Sequence, residues 1–220
     1  MPSDPTIVTT PSRKRDGPLA TIMVATHRPH FGDEAMQLLA PYAPIRVDGT
    51  GFPSCAYLWN QCVVRCPTET VIICNERARP ARHSIEALLG KLDEGYALAG
   101  LYRFGFFGFP KETLRLVGMF DEGYRGGWYE DNDMILRLRE ADLGYYESEE
   151  IVYLWSPSAW SHSGNQERFQ AKWDKAGGWT RKLPEENVSY DLGRSMPLEF
   201  LGWNDSVLMA KMGGQYGPRR

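Results

Sequence analysis

No stretch of this sequence approaches the roughly 18 uninterrupted apolar residues that a membrane-crossing helix needs, and its opening, MPSDPTIVTTPSRKRDG, has no apolar core of the kind a signal peptide carries. A soluble, cytoplasmic protein without a membrane span is the expectation. Neither sign of charge dominates: 25 Lys and Arg stand against 28 Asp and Glu, a formal net charge of −3. Without an overall basic field, no nucleic-acid partner is expected. Cysteine is scarce. Cys55, Cys62, Cys66 and Cys74 form no C-x-x-C pair and mostly sit among apolar neighbours, so buried free thiols are expected rather than zinc ligands or disulfides. Internal repeats are missing, as are a phosphate-cradling P-loop and a Ser-His-Asp order with a nucleophile elbow. Repeat architectures, P-loop NTPases and α/β-hydrolase chemistry are thereby set aside.

What is present suits a globular core: 42% of the 220 residues are hydrophobic and 12% aromatic, enough for one well-buried domain. Residues 1–18, with Pro2, Pro5, Pro11 and the basic cluster Arg13, Lys14, Arg15, cannot bury enough apolar surface to order themselves and read as a disordered tail. The domain then spans 19–183. A C-terminal extension, 184–220, turns to Pro, Gly and scattered polar residues, with a short apolar piece at Val207–Met212.

Within the domain, apolar β-prone runs alternate with helical spacing. Strands are expected at Ala20–Ala25, Pro44–Val47, Thr70–Cys74, Tyr96–Leu101 and Tyr145–Leu154, and helices near Gly32–Leu39, Cys55–Cys66 and Arg82–Leu92. That alternation predicts an α/β fold with a mostly parallel central sheet flanked by helices. Such sheets bind ligands beyond the carboxyl ends of their strands, where Thr26, His27 and Arg28 follow the first strand. Core packing accounts for most of the aromatic run Tyr102–Phe109 before Pro110.

The richest stretch is FDEGYRGGWYEDNDMILRLREADL, Phe120–Leu143. Met134, Ile135, Leu138 and Ala141 recur at helical spacing, opposite Arg137, Arg139 and Glu140. Glu130, Asp131 and Asp133 therefore stand in the first turn of an amphipathic helix, where the dipole and free N–H groups favour acids. One reading leaves them as caps alone. The other makes them a site, because Gly123, Gly126 and Gly127 with Tyr124, Trp128 and Tyr129 form a flexible aromatic loop of the kind that surrounds a ligand.

The run from Gly108 to Tyr145, with its FDE phrase, acidic helix start and Arg-Leu-Arg helix body, resembles the acceptor-side signature of family 2 glycosyltransferases of the GT-A fold. Ala25-Thr26-His27-Arg28-Pro29 is similar to that family's opening phrase, and Phe169-Gln170-Ala171-Lys172-Trp173 to its closing one. The resemblance implies an inverting transferase. Its donor would be a UDP- or GDP-linked sugar and its acceptor a hydroxyl of a glycan or protein. It implies Asp131 as catalytic base with Glu130 beside it, and an acceptor held against Trp128, Tyr129 and Asp133. The donor would lie on Thr26, His27, Arg28 and Asp48, with Asn75, Arg77 and Arg79 at the next strand end. Asp48 inherits a nucleobase contact; an Asx turn before Gly49 explains it equally well.

Mg²⁺ or Mn²⁺ is a further implication, with His162 as the late ligand. Here the chain departs from the pattern, because Arg77 stands where the resemblance puts a metal-binding aspartate. Either Glu76 supplies the carboxylate after a one-residue shift, or Arg77 and Arg79 neutralise the diphosphate directly. The same departure suggests a second class of function, a catalytically silent module that binds a nucleotide or glycan.

Overall fold

The computed structural model describes residues 20–101, 104–148, 152–153, 164–174 and 180–181. The expected tail, the C-terminal extension and His162 lie outside them.

A six-stranded sheet runs in the order β2-β1-β3-β6-β5-β7. Its strands are β1 (Thr21–Thr26), β2 (Ile45–Asp48), β3 (Thr70–Asn75), β5 (Leu98–Leu101), β6 (Phe106–Pro110) and β7 (Tyr145–Ser148). β1 pairs in parallel with β2 and β3, and β5 with β7, while β6 is antiparallel to both β3 and β5. Five strands thus point one way and β6 alone is reversed, so the expected α/β class with a mostly parallel sheet holds.

The helices are α1 (Pro29–Leu39), α2 (Cys55–Arg65), α3 (Arg82–Asp93), α4 (Lys111–Val117), α5 (Glu130–Glu140) and α6 (Asn165–Lys172). Two-residue strands complete the order: β4 (Ala78–Arg79) pairs with β8 (Val152–Tyr153), and β9 (Trp173–Asp174) with β10 (Thr180–Arg181). Among the described residues no helix is long and apolar enough to cross a membrane.

Strands buried on both faces lose the usual in-out alternation and read as continuous apolar runs. Alternate residues of each then feed opposite layers of core. Met23, Ala25, Val71, Ile73, Phe107 and Phe109 pack with Leu58, Trp59 and Val63 of α2 and Met134 and Leu138 of α5. Ile22, Val24, Ile72, Cys74 and Phe106 pack on the other face with Ala35 and Leu39 of α1 and Ile85 and Leu88 of α3. Trp59 is the centre of an aromatic cluster, with ring centroids 5.7, 5.1 and 5.0 Å from Phe104, Phe107 and Phe120. Truncating Phe107 there would cost about 3–5 kcal/mol. All four cysteines are buried and free.

The run before Pro110 holds the reversed strand that periodicity alone does not reveal. Phe106, Phe107 and Phe109 supply both layers, and Gly108 lets the backbone pass close to its neighbours. A Cβ at Gly108 would lie 2.8 Å from Leu88 and 3.1 Å from the carbonyl of Val71. Of the expected strand Tyr145–Leu154, Tyr145–Ser148 joins the main sheet and Val152–Tyr153 forms β8, while 149–151 and 154 lie outside the described residues.

Candidate functional site

The strand-end turns are tied to one another before any ligand is considered. Gly49 N–H donates to the Thr26 carbonyl at 2.6 Å, and the Thr50 hydroxyl lies 3.4 Å from the His27 carbonyl as donor. Asp48 is exposed and accepts the Thr50 N–H at 2.9 Å, so the Asx turn is formed. That backbone hydrogen bond, helped by Arg46 and His27, holds its carboxyl below the usual value. Thr26 is fully buried, and its Oγ1 has no hydrogen-bond partner. The side chain packs under Gly32, where a Cβ would collide with it, so Thr26 faces α1 rather than solvent.

Glu76, one of the two residues expected to ligate a metal, is 6% exposed and bound from within. One carboxylate oxygen accepts the N–H groups of His27 and Arg28, each at 2.5 Å, and the other accepts Arg28 Nε at 2.9 Å. Its role here is to fasten the end of β3 to the turn after β1. Asn75 is fixed similarly, accepting from Trp59 Nε1 at 3.2 Å and donating to the Phe104 carbonyl at 2.9 Å. Arg79 donates to the carbonyls of Glu76 and Ala78 and to Glu34 at 2.6, 2.9 and 2.8 Å. Arg77 lies half-buried in the turn between them. Among the described residues no three His, Cys, Asp or Glu side chains gather to hold a metal ion. With Glu76 engaged, the described residues do not fit a divalent-cation site at this turn.

The acidic helix begins where α2 also begins. Cys55 N–H donates to the Gly126 carbonyl at 2.5 Å, and Gly126 N–H to the Pro53 carbonyl at 2.9 Å, lacing the glycine-rich loop to the approach of α2. Gly126 has φ of +69°, which glycine adopts without strain. Trp128 and Tyr129 are also left-handed, at φ +80° and +77°, a conformation that side-chain-bearing residues hold only when their surroundings impose it. Asn165 imposes it. Its amide nitrogen donates to the carbonyls of Arg125, Gly127 and Trp128 at 2.9, 2.7 and 3.2 Å, and its oxygen accepts the Arg125 N–H. Trp128 is thereby presented with 58% of its surface exposed, while Tyr129 packs on Phe169 with centroids 5.1 Å apart.

Three acids follow, in three environments. Glu130 is 5% exposed with Oε2 buried and unpartnered. Burial, with the Asp131 charge adding to it, pushes its carboxyl up to about 8. Asp131 is partly exposed and accepts the Asn132 N–H at 2.8 Å. Asp133 is wholly enclosed, bound by Lys172 Nζ at 2.8 Å, Arg137 Nε at 2.9 Å and Trp173 Nε1 at 2.9 Å. Burial alone would raise its carboxyl, but the Lys172 and Arg137 charges prevail and hold it low. Of the expected acceptor contacts, then, Trp128 faces outward, whereas Asp133 is spent on the interior.

One group registers how close the acids are. The Cys55 thiol is raised well above its ordinary value, by burial first, then by the charges of Glu130, Asp131 and, more weakly, Glu76. Helix α2 bridges the two regions: its Cys55 N–H bonds the Gly126 carbonyl ahead of α5, and its Trp59 Nε1 bonds Asn75 at the end of β3.

Residues given no site role by the sequence support the site from behind. Asp121 is buried and accepts Arg168 at 2.9 Å and Lys172 at 2.8 Å. The Arg168 guanidinium lies directly against Gly123, where a Cβ would displace it. Asn60 brackets Phe120, accepting its N–H at 3.1 Å and donating to its carbonyl at 2.9 Å, and also donates to Glu122 at 2.7 Å.

No protein-family model matches the chain, and no curated protein matches it by sequence. Two solved structures of Drosophila β1,4-galactosyltransferase 7 are similar to it. A mutant in complex with manganese, UDP-Gal and xylobiose shares 12% identity over 81% of this chain and 80% of that one, with a TM-score of 0.44. The catalytic domain in complex with xylobiose shares 13% identity over 78% of each chain, also with a TM-score of 0.44.

Proposed function

We propose that this protein is an inverting glycosyltransferase that moves a sugar from a nucleotide-diphosphate donor to a hydroxyl acceptor. The observation that carries this reading is the division of labour at the start of α5. Asp131 is the partly exposed acid, Glu130 beside it is buried, and Asp133 is fastened inside. A general base must reach its proton, so exposure selects Asp131. Helix caps alone would not call for a loop of two left-handed aromatic residues fixed by a buried asparagine. The resemblance of the same residues to the acceptor-side signature of GT-A glycosyltransferases supports the same assignment.

In the reaction, the acceptor oxygen attacks the anomeric carbon as the bond from that carbon to the diphosphate oxygen breaks. The electron pair leaves with the diphosphate, and Asp131 takes the acceptor proton. The donor is UDP- or GDP-linked and lies across the turns at Thr26–Arg28 and Asp48–Thr50. Trp128 offers an apolar face to the acceptor, a glycan or protein hydroxyl. The alternative, a silent binding module, draws on the engaged state of Glu76 and the lack of a metal-holding cluster among the described residues.

Incubation with radiolabelled UDP- and GDP-sugars and a panel of glycan acceptors tests the choice. Label appearing in an acceptor, or released from the donor by slow hydrolysis, is expected. Tight nucleotide binding with neither transfer nor hydrolysis would favour the binding module.

A further inference from the structure

β2 ends the main sheet, and no described residue pairs with its outer edge. The register fixes which groups that edge presents. Thr26 of β1 stands opposite Asp48, and its carbonyl takes the Gly49 N–H. In a parallel ladder the residues on either side of the registered one bond across to it. Val47 and Gly49 therefore turn their backbone groups toward β1, while Arg46 and Asp48 turn theirs outward. Three of the four exposed large apolar side chains among the described residues, Leu38, Tyr42 and Ile45, lie in the segment that leads into this strand, the fourth being Trp128.

Arg46 and Asp48 stand two residues apart, so their side chains share one face of the sheet. It is the α1 face, because Arg46 Nη1 lies 2.5 Å from Asp33 of that helix. Asp48 is exposed, with one oxygen accepting the Thr50 N–H. Charges on an edge strand discourage pairing with arbitrary strands, since like charges directly opposite one another are destabilising. A strand carrying the opposite charges in reverse order meets no such obstacle. β2 itself, run antiparallel, is that strand.

We propose that β2 pairs antiparallel with β2 of a second copy of this chain about a two-fold axis at Val47, joining the two six-stranded sheets into one. With Val47 opposite its own copy, Arg46 of each chain faces Asp48 of the other. These are the residues whose backbone groups point outward, so they occupy the hydrogen-bonded positions of the new ladder, and Val47 falls at the non-hydrogen-bonded position between them. Charge and backbone thus select the same register. Carried one step further, it sets Ile45 of the second copy beside Gly49, so each chain brings an apolar side chain to the turn that follows β2 in the other. The contact is isologous and closes at two copies.

Sedimentation equilibrium of the full chain at micromolar concentrations tests this, with a mass twice that of the chain expected. Arg46→Asp places like charges opposite one another on both sides of the axis and is expected to weaken the dimer by about tenfold or more. Asp48→Arg is expected to do the same, whereas the double variant Arg46→Asp/Asp48→Arg, with its charges exchanged, is expected to restore the parental association. Arg46→Pro removes an outward N–H and leaves the β1 ladder intact; a monomer with the parental circular dichroism spectrum is expected. A parent that stays monomeric would overturn the proposal. So would single charge reversals that dimerise as the parent does, or a double variant that associates no better than the single ones.

Discussion

The Nζ of Lys172 lies 2.8 Å from a carboxylate oxygen of Asp133, and neither side chain reaches solvent. The same ammonium sits 2.8 Å from Asp121, so one buried cation joins the loop that leads into the glycine-rich segment to the first turn of α5. An ion removed from water costs several kcal/mol, which is recovered only where its partners stay in place. Lys172 therefore makes the site's loop and its helix one mechanical unit with α6.

Lys172→Met keeps the length of the side chain and removes the charge. Asp121 and Asp133 then stay buried with one cation fewer each, and a loss of about 3–5 kcal/mol is expected. For a domain of this size that lowers the melting temperature by roughly 10 °C. Asp133, held low by Lys172 and Arg137, contributes stability that is present above the ordinary carboxylate value and lost as pH falls through its lower native one. The variant should therefore unfold at a higher pH than the parent on acid titration. Matched acid midpoints would show that Arg137 alone sustains the carboxylate.

Much of this was legible beforehand. The alternation of apolar runs predicted the helices α1, α2, α3 and α5 and every strand of the main sheet except β6, because short β-prone runs between helical patterns mark strands even at the exposed edges β2 and β7. β6 was hidden since Phe106–Pro110 follows Leu98–Leu101 closely with no helix between, and nothing local marks a reversal of direction. The supports of the site were hidden for another reason. Asn165 meets the Trp128 loop from 37–40 residues away, and Lys172 meets Asp121 across 51. Pairings of that range leave no periodic trace. Glu76 shows the limit most clearly: as a residue type beside a strand end it suits a metal, and only the N–H groups of His27 and Arg28 reveal that its oxygens are already used.

Glu130 should make stability fall as pH rises. Its native carboxyl sits at about 8 against an ordinary 4.5, so the folded protein keeps a proton that the unfolded chain releases. That contribution is complete below about 4.5 and is lost progressively as pH rises to about 8, a decline of roughly 3–5 kcal/mol. The groups acting on it are Asp131, Cys55 and the backbone at Trp128. Glu130→Gln replaces the neutral acid by a neutral amide and should flatten the decline, with a melting temperature above that of the parent at pH 8. Parallel stability curves for the two proteins between pH 5 and 8 would mean that Glu130 is ionised in the native state.

Asp131 carries the chemistry in the proposed reaction, and its substitution separates capping from catalysis. Asp131→Asn preserves size and most of the ability to accept a hydrogen bond at a helix start, so stability should change by about 1 kcal/mol or less. Turnover should fall by about 10²- to 10⁴-fold, the usual cost of a missing general base, while nucleotide binding measured by calorimetry stays near the parental value. Glu130→Gln is the necessary companion, because the two acids are neighbours and differ chiefly in burial. With Glu130 neutral in the native protein, its amide should retain far more activity than Asp131→Asn at pH 7. If instead Glu130→Gln is the inactive variant and Asp131→Asn transfers sugar at the parental rate, the buried acid is the base and the exposed one is only a cap.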